Sequence, residues 1–451
     1  MKPVVTVEEM AAVDVEAPEP VEVVVERAGA AVAWAARRML GGVYGRRAVV
    51  VCGKGNNGAD GRVAARRLRQ WGVAVDEVNA ADATARLPAC DLVVDAAYGT
   101  GFRGDYDAPD PGGALVLAVD IPSGVSGDTG EAAPGAVRAD ATVTFAALKP
   151  GLLLGAGPVH AGRVEVADIG LDVSRASIHL VEDGDARAAM PPRRRGDHKW
   201  RSAVLVVGGS PGLAGAPWLA ASAALHVGAG NVRLAVPGAT GWEAPPSEIY
   251  SRLLPAEGWA DQAVDDGRKC RAVVVGPGLG TADSTAADVR RLLATTEQAV
   301  VADADALTLL GRDAAGVLRG RPAPTVLTPH DAEFERMAGA PPGADRIGAV
   351  RELAARTGAI VLLKGPTTVV AAPDGRVRIA AAGSPALATA GTGDVLAGTI
   401  AAFLARGAEP LDGAAAAAHA HGAAARRGPP GLVAGDLFEL IPRWMAGALG
   451  G

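Results

Sequence analysis

The sequence predicts two α/β domains in tandem, each a mostly parallel sheet covered by helices. Three observations predict this. Short apolar runs alternate with helical stretches through residues 48–169, and the alternation starts again at Ala203 after a polar break. Each half carries its own glycine-rich loop: Cys52-Gly53-Lys54-Gly55-Asn56-Asn57-Gly58-Ala59-Asp60-Gly61, and Ala390-Gly391-Thr392-Gly393-Asp394-Val395-Leu396-Ala397-Gly398. A length of 451 residues lets each domain bury its own core.

In the first half, residues 48–52 read as a strand, followed by the glycine loop and a helix over about 62–71. Further strands fall at 73–78, 92–96, 115–120 and 141–145, and 163–169 closes the unit. Two polar stretches follow, Glu182-Asp183-Gly184-Asp185-Ala186-Arg187 and Pro191-Pro192-Arg193-Arg194-Arg195-Gly196. They place a boundary between domains of residues 1–188 and 189–451. In the second half, 203–207 is a strand, then a Gly208-Gly209-Ser210-Pro211-Gly212 loop and a helix from Trp218. Strands follow at 232–236, 272–275, 300–303, 325–327 and 360–363. Pro373-Asp374-Gly375 marks a hairpin between 368–372 and 376–379. Alanine-rich helices at 395–405 and 411–426 end the domain.

Composition narrows the function classes. Apolar residues make up 49% and charged residues 21%, and the net charge is −6, so no basic field invites nucleic acid. The run 202–232 is uncharged and long enough for a bilayer, but Pro211, Pro217 and several glycines break it into strand, loop and helix. No membrane span is expected. The N-terminus has no apolar signal core, and Cys52, Cys90 and Cys270 lack metal-ligand spacing. Both features predict a cytoplasmic protein with reduced thiols. Only six of the 44 basic residues are lysine, and only four asparagines occur. A chain that avoids both residue types nevertheless puts Lys54, Asn56 and Asn57 in its first glycine loop. Arginine replaces a compact ammonium poorly, so these residues point to function.

Gly53, Gly55 and Gly58 satisfy the dinucleotide pattern G-x-G-x-x-G, with Asp76 near the place of a ribose-binding acid. Asn56, Asn57 and Asp60 argue against a hydride-transfer cofactor, because they crowd polar groups where a Rossmann helix packs on its sheet. Asp95 and Asp120 end two predicted parallel strands, and such ends share one sheet edge. Each Asp alone reads as a cap or turn residue. Together with the asparagine pair, Ser123 and the glycine-rich segment 99–104, they predict a site.

These segments, with Val119-Asp120-Ile121-Pro122-Ser123-Gly124 and Lys149-Pro150-Gly151, resemble the NAD(P)H-hydrate epimerase domain over residues 4–180. The resemblance implies a Rossmann-like three-layer αβα fold. It implies that Asn56, Asn57, Gly58, Ala59 and Asp60, with Gly99, Thr100, Gly101, Phe102, Arg103, Gly104 and Asp105, hold the hydrated dinucleotide. It implies potassium at Asn57, Asp95 and Ser123, an oxygen-only set suited to a hard cation, and Asp120 as substrate contact and acid–base group. Lys149 either assists or snorkels from an apolar strand. Ala59 replaces a usual glycine, at a cost of about 1–2 kcal/mol if that position needs positive φ.

Gly391-Thr392-Gly393-Asp394 opens a predicted helix, where backbone N–H groups form an anion hole. A carboxylate beside that hole can deprotonate a hydroxyl attacking a phosphoryl group. The plainer reading is a glycine N-cap with Asp394 on the helix dipole. Three strand-end segments favour the site: Lys364-Gly365-Pro366-Thr367-Thr368, Thr328-Pro329-His330-Asp331-Ala332-Glu333, and Gly276-Pro277-Gly278-Leu279-Gly280.

They resemble the ribokinase-like fold, and within it the ADP-dependent NAD(P)H-hydrate dehydratase domain, over residues 196–442. The resemblance implies that Lys364, Gly365, Pro366, Thr367, Thr368 and Gly393 bind the adenine nucleotide. Ala216, Gly278, His330 and Asp394 then contact the hydrate, Asp394 is catalytic, and Mg2+ neutralises the phosphates. Ser384, Thr308 and Asp331-Ala332 depart from the usual pattern. The whole chain is therefore expected to be a homo-oligomeric isomerase and lyase that takes NAD(P)H hydrates and ADP. The alternative is a ribokinase-like kinase for a vitamin precursor or sugar, with a non-catalytic N-terminal binding domain.

Overall fold

The computed structural model describes residues 1–102, 104, 106–239 and 247–448. The chain divides into two compact units, Lys2–Ile178, and His179–Gly451 together with Met1.

The parallel sheet of the first unit has six strands among the described residues: β1 Arg47–Cys52, β2 Ala74–Asn79, β3 Leu92–Ala96, β4 Leu115–Val119, β5 Ala141–Phe145 and β6 Arg163–Ala167. Their order is β2-β1-β3-β4-β5-β6, with every neighbouring pair parallel. Parallel strands are buried on both faces, which is why β1 reads as an unbroken apolar run. Ala48, Val50 and Cys52 enter one core and Val49 and Val51 the other. The strand order reverses at β1, which opens a crevice at the C-terminal ends of β1 and β3.

Two helices, Val21–Leu40 and Asn56–Gln70, pack together on one face. Their crossing is close at Gly29, where a Cβ would lie 2.7 Å from the Asp60 carbonyl oxygen. The second helix begins at Asn56 rather than near residue 62, because Gly55 is its N-cap and the polar loop residues form its first turn. The strand expected over 115–120 stops at Val119, and Asp120 turns into the left-handed region at φ 66°. Helices Val7–Val15 and Val21–Leu40 were not expected from the sequence.

In the second unit the strands are β7 Ala203–Val207, β8 Asn231–Pro237, β9 Tyr250–Leu254, β10 Ala272–Val275, β11 Ala299–Ala302, β12 Thr325–Leu327, β13 Ile360–Leu363, β14 Thr368–Ala371 and β15 Val377–Ala380. These nine lie in the order β15-β14-β13-β12-β11-β10-β7-β8-β9. From β13 to β9 all pairs are parallel, and the β14–β15 hairpin adds antiparallel strands beyond β13. Helix Thr392–Arg406 crosses helix Gly215–Val227 at Gly398, where a Cβ would lie 2.0 Å from the Ala220 carbonyl oxygen. Helix Pro410–Ala425 is buried on nearly every side, as its alanine content permits. Among the described residues no helix is long and apolar enough to cross a membrane.

Two candidate active sites

The crevice of the first unit is a cleft of about 910 Å³. Its lining includes Asn56, Asn57, Asp60, Gly99, Thr100, Gly101, Phe102, Asp120 and Lys149. Two glycines fix its floor. A Cβ at Gly53 would lie 1.8 Å from the Ala97 carbonyl oxygen, and one at Gly58 would lie 1.9 Å from that of Gly53. Gly58 and Ala59 sit in the first helical turn, so the left-handed strain considered for Ala59 does not arise. Arg103 and Asp105 lie outside the described residues. Tyr98, Phe102 and Tyr106 form one aromatic cluster at the cleft, tilted or edge-to-face with centroids 4.5–6.3 Å apart.

Asp120 adopts its left-handed conformation at about 1–2 kcal/mol, and that turn carries it out of the strand to the cleft. Lys149 holds it there, with Nζ 2.7 Å from Asp120 Oδ1. The ammonium also donates to Thr144 Oγ1 at 2.9 Å and to the Phe145 carbonyl at 3.0 Å. Thr144 Oγ1 in turn donates to Asp120 Oδ1 at 3.0 Å. Lys149 is only 1% exposed, so it does not snorkel to solvent; it is the buried counter-ion of Asp120.

Asp95 and Ser123 meet as expected. Asp95 accepts from the Ser123 N–H at 2.8 Å and from Ser123 Oγ at 2.7 Å. Burial pushes the Asp95 carboxyl up to about 6, against the pull of these hydrogen bonds. Asn57 packs on Gly99, where a Cβ would lie 3.5 Å from its Cγ, and its Nδ2 is buried without a partner among the described residues. Asp76 is outside the cleft lining, exposed, and 3.6 Å from Arg47, which removes the ribose contact that a redox cofactor would need. Asp14, at the end of helix Val7–Val15, lines the cleft and drew no notice in the sequence, since nothing local distinguishes it from a surface acid.

In the second unit the loop before helix Thr392–Arg406 turns at Gly391, φ 87°. A Cβ at Gly393 would lie 3.8 Å from Lys364 Nζ, so the loop rests over the ammonium. Lys364 is 3.0 Å from Asp303 Oδ1 and 3.7 Å from Glu333 Oε2. Burial would depress this ammonium, but Asp303, Glu333 and Asp394 outweigh it and raise its pKa. Asp394 is pushed up to about 7, chiefly by burial, with Asp303 and Asp305 adding to the shift and Lys364 opposing it.

His330 caps helix Asp331–Ala338, and its ring stays 53% exposed. Its Nδ1 accepts from the Ala332 N–H at 3.1 Å, and its own N–H donates to Glu333 at 2.9 Å. Ala216 and Gly278 are neighbours, since a Cβ at Gly278 would lie 3.6 Å from the Ala216 Cβ. Asp303 and Asp305 flank Ala304, a non-glycine residue at φ 52°. Asp305 accepts from the Gly280 N–H at 2.8 Å, tying the Gly276–Gly280 turn to the site. His421, buried in the alanine-rich helix, hydrogen-bonds the Thr392 backbone; burial pushes its imidazole down to about 4 and keeps it neutral. Sequence reasoning missed its bracing role, although a histidine among alanines was visible.

Residues 204–438 match the family model described as NAD(P)H-hydrate dehydratase, and residues 21–86 and 76–151 match the one described as YjeF-related protein N-terminus. The chain is 39% identical to a bifunctional NAD(P)H-hydrate repair enzyme of Salinibacter ruber, covering 89% of this chain and 88% of that protein. It is 40% identical to a protein of the same description from Mycobacterium tuberculosis, covering 81% and 80%. A crystal structure of an ADP/ATP-dependent NAD(P)H-hydrate dehydratase from Bacillus subtilis, grown with ATP and Mg2+, matches at TM-score 0.51 and 29% identity, covering 59% of this chain and 96% of that one. A ribokinase-like superfamily protein of Enterococcus faecalis matches at TM-score 0.53 and 22% identity, covering 60% and 96%, a likeness of fold.

Proposed function

Because the chain belongs to the family of bifunctional NAD(P)H-hydrate repair enzymes, we propose a division of labour between its two sites. Residues 1–188 epimerise the R and S hydrates, and residues 189–451 convert the S hydrate and ADP to NAD(P)H, AMP and phosphate. The observation that carries this reading is a poised carboxyl group at each glycine loop: Asp120 on its buried lysine, and Asp394 beside Lys364.

At the first site the Asp120 carboxylate takes the proton of the C6 hydroxyl, which opens the ring at the C6–N1 bond; reclosure on the other face inverts C6. The Gly53–Gly58 turn and the helix N-terminus receive the dinucleotide phosphates. Asp95 is 3% exposed and has no basic side chain within 4 Å among the described residues. Unlike an unpartnered buried carboxyl, Asp95 accepts from the Ser123 N–H, Ser123 Oγ and the Ala97 N–H, which favour its charged form; with Ser123 Oγ and the Asn57 amide oxygen it offers the hard donors that potassium takes. When bound, potassium would supply positive charge beneath the substrate phosphates.

At the second site Asp394, with its carboxyl near neutrality, removes the C6-hydroxyl proton as that oxygen attacks the β-phosphorus of ADP; AMP leaves, the N1 electron pair expels the C6 phosphate, and the C5 proton passes to the departing phosphate as the C5–C6 double bond forms. Lys364 and the N–H groups at Gly393 steady the transferring phosphoryl group. No group of three His, Cys, Asp or Glu positioned for a metal occurs among the described residues. That donor set suits Mg2+ held mainly by nucleotide phosphates and water, where it neutralises phosphate charge. The test is paired. Asp394→Asn stops ADP-dependent recovery of NADH from both hydrates, and Asp120→Asn leaves the R hydrate unrepaired while the S hydrate still reacts. Recovery in Asp394→Asn at the wild-type rate overturns the assignment.

A further inference from the structure

We propose that Asp60 is a second catalytic carboxyl of the first site, the proton donor that works opposite Asp120, and that Asp14 is the positioning residue that keeps the proton on it. The proposal rests on the epimerase reading above.

Three observations carry it. Asp60 lines the cleft, is 6% exposed, and has an Oδ1 buried without any partner among the described residues. A buried carboxyl with no cation keeps its proton. Lys149, the buried cation of the cleft, cannot serve it, because its three donors are taken by Asp120, Thr144 and Phe145. Asp14 brings a third carboxyl from a separate helix to the same cleft. The other charged groups of the lining are Glu19 and Lys54, and Lys54 is exposed on the loop. The electrostatics agree: burial, then Asp120 and Asp14, push the Asp60 carboxyl up to about 8. Asp14 is exposed to solvent on one side, and its carboxyl is raised by partial desolvation on the cleft side, with Lys149 opposing and Asp120 adding. An unpaired buried carboxyl and a second carboxyl held by a lysine are the kind of contrasting environments that make an acid and base pair.

The step balances. Asp120 takes the proton of the C6 hydroxyl, the C6–N1 pair goes to N1, the C6 carbonyl forms, and Asp60 gives its proton to N1. After rotation about C5–C6, N1 attacks the other face. Its proton returns to Asp60, and the oxygen takes the proton held by Asp120. Both side chains end as they began.

The experiment follows conversion of pure R NADH hydrate to the S form by chromatography across pH 6–10, in the full-length protein. Asp60 must be protonated, so the wild-type kcat falls as pH rises through about 8. Asp60→Asn lowers kcat about 100-fold or more, leaves KM within a few-fold, and abolishes the alkaline limb. Asp14→Asn retains the acid but removes a neighbouring charge, so its alkaline limb moves to lower pH. An Asp60→Asn protein with wild-type kcat and limb overturns the proposal. Should that variant not fold, an unmoved limb in Asp14→Asn overturns it instead. A wild type that leaves the R hydrate untouched overturns the epimerase reading and this proposal with it; an active wild type with an indifferent Asp60 overturns this proposal alone.

Discussion

Replacing Asp394 with Asn removes catalysis and stabilises the second unit in alkaline solution. The Asp394 carboxyl is pushed from an ordinary 3.8 to about 7, mainly by burial, with Asp303 and Asp305 adding to the shift. A raised carboxyl pKa means that the native state resists ionisation. The stability this group contributes is fully present below pH 3.8, falls as pH rises, and is lost above about 7. The shift of about three units corresponds to roughly 4 kcal/mol at 1.36 kcal/mol per unit. Between pH 5 and pH 8 the cost of the charge grows by about 2.5 kcal/mol. Asn carries no charge, so Asp394→Asn gains that amount relative to wild type over the same interval. For a unit of this size the gain raises Tm by about 5 °C more at pH 8 than at pH 5. Differential scanning calorimetry of both proteins at the two pH values measures it, with ADP-dependent turnover recorded in parallel. In the wild type, turnover rises with pH through about 7 as Asp394 ionises. A melting difference that is the same at both pH values would refute the reasoning, because Asp394 would then carry no buried charge worth removing.

Three other perturbations have defined outcomes. Lys149→Met leaves Asp120 without its counter-ion in a buried site and costs about 3–5 kcal/mol; chemical denaturation reads the loss, and R-hydrate epimerisation disappears with it. Gly58→Ala drives a Cβ to 1.9 Å from the Gly53 carbonyl oxygen, a contact that neither loop nor helix can relieve in place. Epimerisation falls at least tenfold while the protein stays folded by circular dichroism. Replacing potassium by tetramethylammonium in the buffer lowers epimerisation and leaves Asp95→Asn, which lacks the buried carboxylate, indifferent to the exchange.

The sheet was legible because parallel strands must be apolar on both faces, so β1, β3 and β4 stood out as apolar runs, and β5 as a short run of β-formers with Thr142 and Thr144. Asp95 and Asp120 were legible for a related reason: each ends such a run, and the topology gathers those ends; Asp394 was legible from the glycine loop that opens its helix. The start of helix Asn56–Gln70 was hidden, because asparagine and glycine read as loop when they occupy a helical first turn. Helix Val21–Leu40 went unassigned although its pattern is amphipathic, and its small residues allow the close crossing at Gly29. Lys149 was ambiguous until its partner was seen, since a lysine beside an apolar strand can turn either way. Asp303 ends the expected strand 300–303, but its pairing with Lys364 had no local mark, and Asp14 could not be singled out at all, because its importance lies in which distant groups the fold sets beside it. The left-handed Asp120 and Ala304 likewise carry no local sequence mark. Both lie where a strand hands over to a site, where strained backbone tends to collect.

The most direct measurement incubates the purified protein with a mixture of R and S NADH hydrates, ADP, Mg2+ and K+, and follows the absorbance of NADH. Two working sites in one chain restore the whole mixture, with a phase set by epimerisation after the S form is consumed. Recovery that stops once the S form is gone contradicts the role given to the first site. Absence of recovery, with the hydrates unchanged, contradicts the assignment of both.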